Sequence, residues 1–415
     1  MSEIATIFGI ATIVIFVGFL SSLLFEKTKV PDILILIVLG VVIGPLTGII
    51  NPAELSGITE LFGALALALI LFEGGLELKF HEIIKKFGNV MLLMGISFTF
   101  TMVAVALAFI IFLPTLPIYL GLALGALLSA ISAPIVIPIL SIMKVKSETK
   151  ALLNLESALT DSAAILVVFL LLGLLGPLAG KTDNVAVGIL ATILFSTVIA
   201  VLLGIGWLEI LKLLKDRAYS YMITLAVVLG LYSIVEFLGG TGPVAALVFG
   251  IVLSNGKEIS QHLPIKTDFV LDERLKRFHS EITFFLKTFF FVYVGIIFSI
   301  ERLTLPLIIF SIVILVIIIA SRVIGVKFLV ALRPEEREDQ DVLLIMMPRG
   351  LTSVVLASIL AATAIEDVSF LVDVAFTAII LTNVLVTAGV FIVERRRIKA
   401  KEIPPKELEA AYRLV

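Results

Sequence analysis

Thirteen long apolar stretches leave this chain very few folds to choose from. They fall at roughly 4–25, 32–50, 57–75, 88–113, 117–143, 150–175 and 184–211, then at 218–238, 241–255, 280–300, 304–332, 340–364 and 369–393. Most are long enough to cross the hydrocarbon of a bilayer with some tilt. Inside hydrocarbon, backbone N–H and C=O groups have no water to turn to, so only helices and closed barrels can span it. Runs of this length are helical rather than barrel strands, and the expected fold class is an all-α polytopic membrane protein with about 13 transmembrane helices. The composition agrees: 60% of residues are hydrophobic and 15% charged, where soluble domains carry about 25% charge. The first run follows Met-Ser-Glu without a basic leader, and reads as a retained span rather than a cleaved signal. The chain has no cysteine, which excludes disulfides and thiolate chemistry.

The loops test this division. Counted from the N-terminus, odd-numbered loops carry Lys27 and Lys29; Lys79, Lys85 and Lys86; Lys144, Lys146 and Lys150; Lys212, Lys215 and Arg217. The later odd loops carry Lys257, Lys266, Arg274, Lys276 and Arg277, then Arg333 and Arg337, whereas the even loops hold only Lys181 and Arg302. A mis-split span would break that alternation. The Lys/Arg-rich side is expected to be cytoplasmic, with an external N-terminus and a short basic cytoplasmic tail at 394–415. The segment at about 255–280 reads as a charged amphipathic linker between two halves.

Two spans are broken. In GALLSAISAPIVIPIL, Pro134 and Pro138 each lack an N–H, so the carbonyls of Ala130 and Pro134 lose their helical partners, with Ser129 and Ser132 at the same level. In VLLIMMPRGLTSVVLA, Pro348, Arg349 and Gly350 interrupt the second. Paired breaks at corresponding places in the two halves are the best sequence pointer to a midplane binding site.

Charged residues in apolar spans are costly, at least ~2.5–3.5 kcal/mol each on insertion scales, and by default mark function. Asn154–Ile165, NLESALTDSAAI, carries Glu156 and Asp161. Ser157 and Asp161 are four apart and share a helix face, supplying two oxygens for a hard cation, while Glu156 and Thr160 share the adjacent face. Glu73, in LILFEGGLEL, is either a third oxygen ligand or an interfacial acid. Arg322 and Arg349 are the compensating cations; Glu156 is expected to pair with Arg322, or alternatively Arg349, leaving Asp161 free. Glu281 and Lys287 lie six apart and do not pair within the helix; Lys287 is the deeper, with a stem long enough to snorkel, and neither is counted among the candidate site residues. No GxxxxGK[ST] or HExxH motif occurs, and neither an enzyme, a cofactor nor a nucleic-acid partner is expected.

In order and spacing, several pieces together resemble the monovalent cation/proton antiporters, on the side of the archaeal NhaP and eukaryotic sodium/proton exchanger proteins. They are VPDILILIVLGVVIGP at 30–45, LILFEGGLEL at 69–78, Glu156-Ser157…Asp161, GGTGPVAALVFGIVLSN at 239–255, SRVIGV at 321–326 and PRG at 348–350. The resemblance implies an inverted repeat whose broken helices cross at the midplane. It implies a dimerisation domain of helices 1–3 (1–75) and 7–10 (184–300), an ion-translocating core of helices 4–6 (88–175) and 11–13 (304–393), and a homodimer in the plasma membrane. It also implies elevator-type exchange of a cation for protons, serving pH homeostasis. Residue by residue, Asp161 matches the exchanging carboxylate, Ser157 an oxygen ligand, Glu73 an acid near the ion, and Glu156 with Arg322 or Arg349 the structural pair. Two positions depart from the pattern. Thr160 stands where the family has Asn or Asp, and Ser132-Ala133-Pro134 replaces Thr-Asp-Pro. With one titratable acid at the site, 1:1 electroneutral sodium/proton exchange at Asp161 is expected. The cation would be coordinated by Asp161, Ser157 and Glu73, together with Ser132, Thr160 and the Ala130 carbonyl. A potassium/proton antiporter, a channel-like pathway and a non-transporting scaffold remain alternatives.

Overall fold

Within the described residues each of the thirteen apolar runs forms helix, two of them interrupted, in the computed structural model, which describes residues 3–28, 30–50, 56–78, 80–173, 185–214, 220–262, 273–298, 304–361, 368 and 370–402. The tail beyond Glu402 and the loop charges Lys29, Lys79, Lys181, Lys215, Arg217, Lys266 and Arg302 lie outside the described residues. The helices are α1 (Glu3–Thr28), α2 (Asp32–Val41), α3 (Ser56–Glu77), α4 (Phe80–Phe112), α5 (Ile118–Ser129), α6 (Ala133–Ile142), α7 (Ser147–Gly173) and α8 (Val185–Leu213). They continue as α9 (Ser220–Phe237), α10 (Gly242–Ser254), α11 (Gly256–His262), α12 (Glu273–Ile297), α13 (Leu305–Leu332), α14 (Gln340–Ile345), α15 (Leu351–Ala361) and α16 (Phe370–Glu402). No strand occurs among the described residues. Among the described residues, α4, α5 with α6, α7, α8, α12, α13 and α16 are long and apolar enough to cross a membrane. Large apolar side chains face outward on α1, α8 and α13, among them Phe16, Leu202 and Val316. That outward face suits lipid, and the chain is a multi-pass membrane protein.

α12 begins at Glu273, so part of the expected linker is helix. An apolar run reports membrane depth, and a helix continues past it wherever its charged first turns reach water.

The helices pack in two sets. In one, α4 contacts α5, α7 and α13, while α15 and α16 close against α5, α7 and α13. In the other, α10 lies against α3, α8 and α9, and α12 against α1, α2 and α3. Within the second set the backbones approach at paired glycines, Gly75 against Gly250 and Gly40 against Gly295, where a Cβ would strike the facing main chain. α7 and α15 are the elements through which the first set meets α3, α10 and α12.

At the Lys/Arg-rich end an ionic strap ties the first set together. Arg397 of α16 pairs with Asp341 and Asp339 and donates to the Lys144 carbonyl at 3.0 Å. Asp339 also accepts from Thr149 Oγ1 at 2.9 Å and Lys146 N at 3.1 Å. The ends of α6, α7, α14 and α16 are thereby joined.

Candidate functional site

The two broken helices cross inside the first set, and each break is finished by groups from the other and from α7 or α16. α5 stops at Ser129, and Ala130 and Ser132 turn to extended backbone before α6 starts with Pro134 in its first turn. Met346 (φ −79°, ψ 82°) ends α14, and α15 starts at Leu351. Such interruptions strand backbone donors and acceptors that must find partners when buried. Here Ser132 N–H donates to the Pro348 carbonyl at 2.9 Å. Ile131 N–H donates to Thr160 Oγ1 at 3.1 Å, and Thr160 in turn donates to the Ser157 carbonyl at 3.0 Å. Asn383 Nδ2 donates to the Arg349 carbonyl at 2.8 Å, and Arg349 N–H to Thr382 Oγ1 at 3.2 Å. Gly350 lies so close to Ser132 that a Cβ there would run into the serine hydroxyl.

Thr160→Val removes the acceptor for a buried N–H, at a cost of about 1–3 kcal/mol. The expected result is a thermal unfolding midpoint in detergent several degrees below wild type, with Thr160→Ser close to wild type.

Of the two pairings considered from sequence, the structure has the preferred one. Glu156, fully buried, pairs with Arg322, whose Nε also donates to the Leu343 carbonyl at 2.6 Å. Arg349 does not pair with Glu156; its guanidinium donates to the carbonyls of Ser129 at 3.0 Å and Ala130 at 2.8 Å. The physical reason is the C-terminus of α5, where unpaired carbonyls and the negative end of the helix dipole attract a cation. The Ala130 carbonyl, expected to be open to a cation, is therefore already engaged. Ser157 is fully buried, and its hydroxyl donates to the Asn154 carbonyl at 2.9 Å, three residues back on α7, which leaves the oxygen's lone pairs unengaged by that bond.

Asp161 is 8% exposed and lines a cavity of about 300 Å³ between the two sets of helices. Ala133 and Pro134 of α6 and Thr352 of α15 share its side of the cavity; Glu73 of α3 and Lys287 of α12 line the other. The Thr352 hydroxyl and the Ala133 N–H are its neighbouring donors, and Arg349 lies within electrostatic reach. Asp161 Oδ1 has no hydrogen-bond partner. Glu73 Oε1 accepts from Ser280 Oγ across to α12. Among the described residues no three acids or histidines converge, so an ion here would meet one or two carboxylates and otherwise neutral oxygens.

Of the residues singled out from sequence, Asp161 and Glu73 thus line the cavity. Ser132 and Thr160 shape the break behind it, and Glu156, Ser157, Arg322 and Arg349 are buried and do not line it. Two features were missed. Thr352 follows the second break as Ser132 precedes Pro134, and that correspondence was the available signal. The Lys287–Asp32 ion pair, at 2.9 Å, joins residues far apart in sequence, and nothing local announces it.

A bundle of long apolar helices with two interrupted helices crossing beside a buried acid defines the architecture of a secondary transporter. The family model for "Sodium/hydrogen exchanger, transmembrane" matches residues 11–394, and the chain belongs to that family. It is 25% identical over 369 residues to "Probable Na(+)/H(+) antiporter 2" of Methanocaldococcus jannaschii, covering 83% of this chain and 84% of that protein. It is likewise 25% identical over 252 residues to "K(+)/H(+) antiporter NhaP" of Alkalimonas amylolytica, covering 58% of this chain and 42% of that one. The fold is similar to that of the sodium proton antiporter MjNhaP1 from Methanocaldococcus jannaschii, with a TM-score of 0.76 at 22% identity over 94% of this chain and 100% of that one. These relatives carry the names of antiporters, transporters rather than enzymes.

Proposed function

We propose that this protein exchanges sodium for a proton across the membrane in a 1:1, electroneutral cycle at Asp161. One observation carries the proposal: a carboxylate with an unpartnered oxygen lines the cavity at the edge of the helix crossing. A cation or a proton can neutralise that carboxylate, but not both together, so the two compete. Neutralised, the site crosses the low-dielectric barrier; bare, it meets a burial cost of at least ~2.5–3.5 kcal/mol and stays. Coupling then needs no ATP, because each ion's gradient biases the same two-state equilibrium. Thr352 and Glu73 line the same cavity and would take part in replacing the ion's water.

In this reading the set of α4–α7 with α13–α16 moves as the ion-carrying core. The set of α1–α3 with α8–α10 and α12 is the stationary scaffold and homodimer interface. The Lys/Arg-rich end faces the cytoplasm of a plasma-membrane protein. A potassium/proton antiporter is the second reading, favoured by the alkalimonad relative and by the absence of an acid at Ala133.

The purified protein in proteoliposomes tests both. Proton flux driven by sodium and indifferent to an imposed membrane potential supports the first reading. Flux driven by potassium alone supports the second, and a voltage-driven flux that ignores opposing cations overturns exchange altogether.

A further inference from the structure

We infer that the Asp32–Lys287 ion pair sets the charge of the cavity facing Asp161, and so the affinity with which a cation enters it, given Asp161 as the exchanging carboxylate proposed above. α12 presents Ser280, Thr283, Phe284 and Lys287 to the cavity, a spacing of three, four and seven residues that forms one helix face. Ser280, at the exposed rim, holds Glu73; Lys287 lies two turns farther along, about 10 Å by helical rise. Among the described residues the charged groups lining the cavity are thus Glu73, Asp161 and Lys287.

A lone lysine in that wall would repel an arriving cation and compete with it for Asp161. Its Nζ instead lies 2.9 Å from Asp32 Oδ2, and the two side chains are only 11% and 15% exposed. Asp32 is itself held in the first turn of α2, where its Oδ1 accepts from Ile33 N–H at 2.9 Å and the helix N-terminus favours an acid. With the lysine charge cancelled, Glu73 and Asp161 leave the cavity net negative. Interactions of this kind act over several ångströms in a poorly screened cavity, so the pair influences the ion without touching it. Lys287 and Asp32 are positioning residues in this sense.

Sodium-driven proton flux in proteoliposomes, read as KM and maximal rate, tests the inference. Asp32→Asn uncovers the lysine charge. It is expected to raise the KM for sodium about fivefold at low ionic strength, less at high ionic strength, with the maximal rate near wild type. Lys287→Gln is expected to lower the KM, and Asp32→Asn combined with Lys287→Gln to return it to within about twofold of wild type. A purely structural pair predicts the opposite split: fewer active molecules, hence a lower maximal rate at constant KM. A wild-type KM in folded Asp32→Asn, or no recovery in the double variant, overturns the inference. If Asp32→Asn does not fold, an unchanged or raised KM in Lys287→Gln overturns it. Asp161→Asn, assayed alongside, separates the layers: exchange surviving there sinks the proposed function, whereas its loss beside an unchanged Asp32→Asn sinks the role of the ion pair alone.

Discussion

Asp161→Asn is expected to reduce cation-driven proton flux in proteoliposomes to the level of protein-free vesicles, while the protein folds and unfolds thermally much as wild type. Asparagine keeps the shape of the side chain and can still meet the Thr352 hydroxyl and the Ala133 N–H that neighbour the carboxylate. It can neither take up a proton nor neutralise a cation. Exchange by competition for one carboxylate therefore has no partial form at this position. Stability should hold, since an acid buried to 8% exposure with one oxygen unpartnered is not a structural asset. Residual flux above a tenth of the wild-type rate would mean that another group carries the proton. Glu73, on the opposite wall of the cavity, would then be the first to examine.

Glu156→Gln is expected to behave in the reverse way. Glu156 and Arg322 are 0% and 2% exposed, so neither can retreat to water when its partner loses charge. Removing one member of such a pair costs about 3–5 kcal/mol, because the remaining charge stays buried and uncompensated. Arg322 would keep its bond to the Leu343 carbonyl, which links α13 to α14 but does not balance its charge. The unfolding midpoint should fall by roughly 3–6 °C, with the KM for sodium in the surviving folded fraction close to wild type. Wild-type thermal stability in Glu156→Gln would remove the argument that this pair holds the core together. Measured together, the two variants distinguish an acid that works from an acid that braces, five residues apart on one helix.

The helices were legible because hydrocarbon imposes a simple rule: long uncharged runs, with basic residues gathering at one end. The two breaks were legible because proline removes a donor wherever it stands, and Pro134 and Pro348 stand where an uninterrupted helix would otherwise run. What could not be read was the third dimension. Arg322 was the preferred partner of Glu156 from sequence, but nothing local announced that Arg349 would turn to the two carbonyls at the end of α5. Helix ends were blurred for a related reason, as at Glu273, since charged turns outside the membrane leave no apolar trace. Ser157 shares a face with Asp161 on any helical wheel, but the wheel does not show that its hydroxyl turns back to the Asn154 carbonyl. Asp32 and Lys287 meet only because α2 and α12 pack at Gly40 and Gly295, a closeness that no local pattern encodes.

Thr160 has a consequence for how such a protein can change its cargo. Its single hydroxyl receives the Ile131 N–H and gives its own proton to the Ser157 carbonyl, so it serves as a hinge pin between α7 and the first broken helix. Position 160 also stands directly before Asp161, the carboxylate proposed to exchange the ions. A substitution that brings a new charge or amide beside Asp161 must therefore rebuild the joint in the same step, and drift in ion preference is mechanically tied to the shape of the break. Variation that retunes the cargo is expected to arrive in compensated combinations across 131, 157 and 160, with single replacements at 160 selected against as folding defects before their effect on transport is felt.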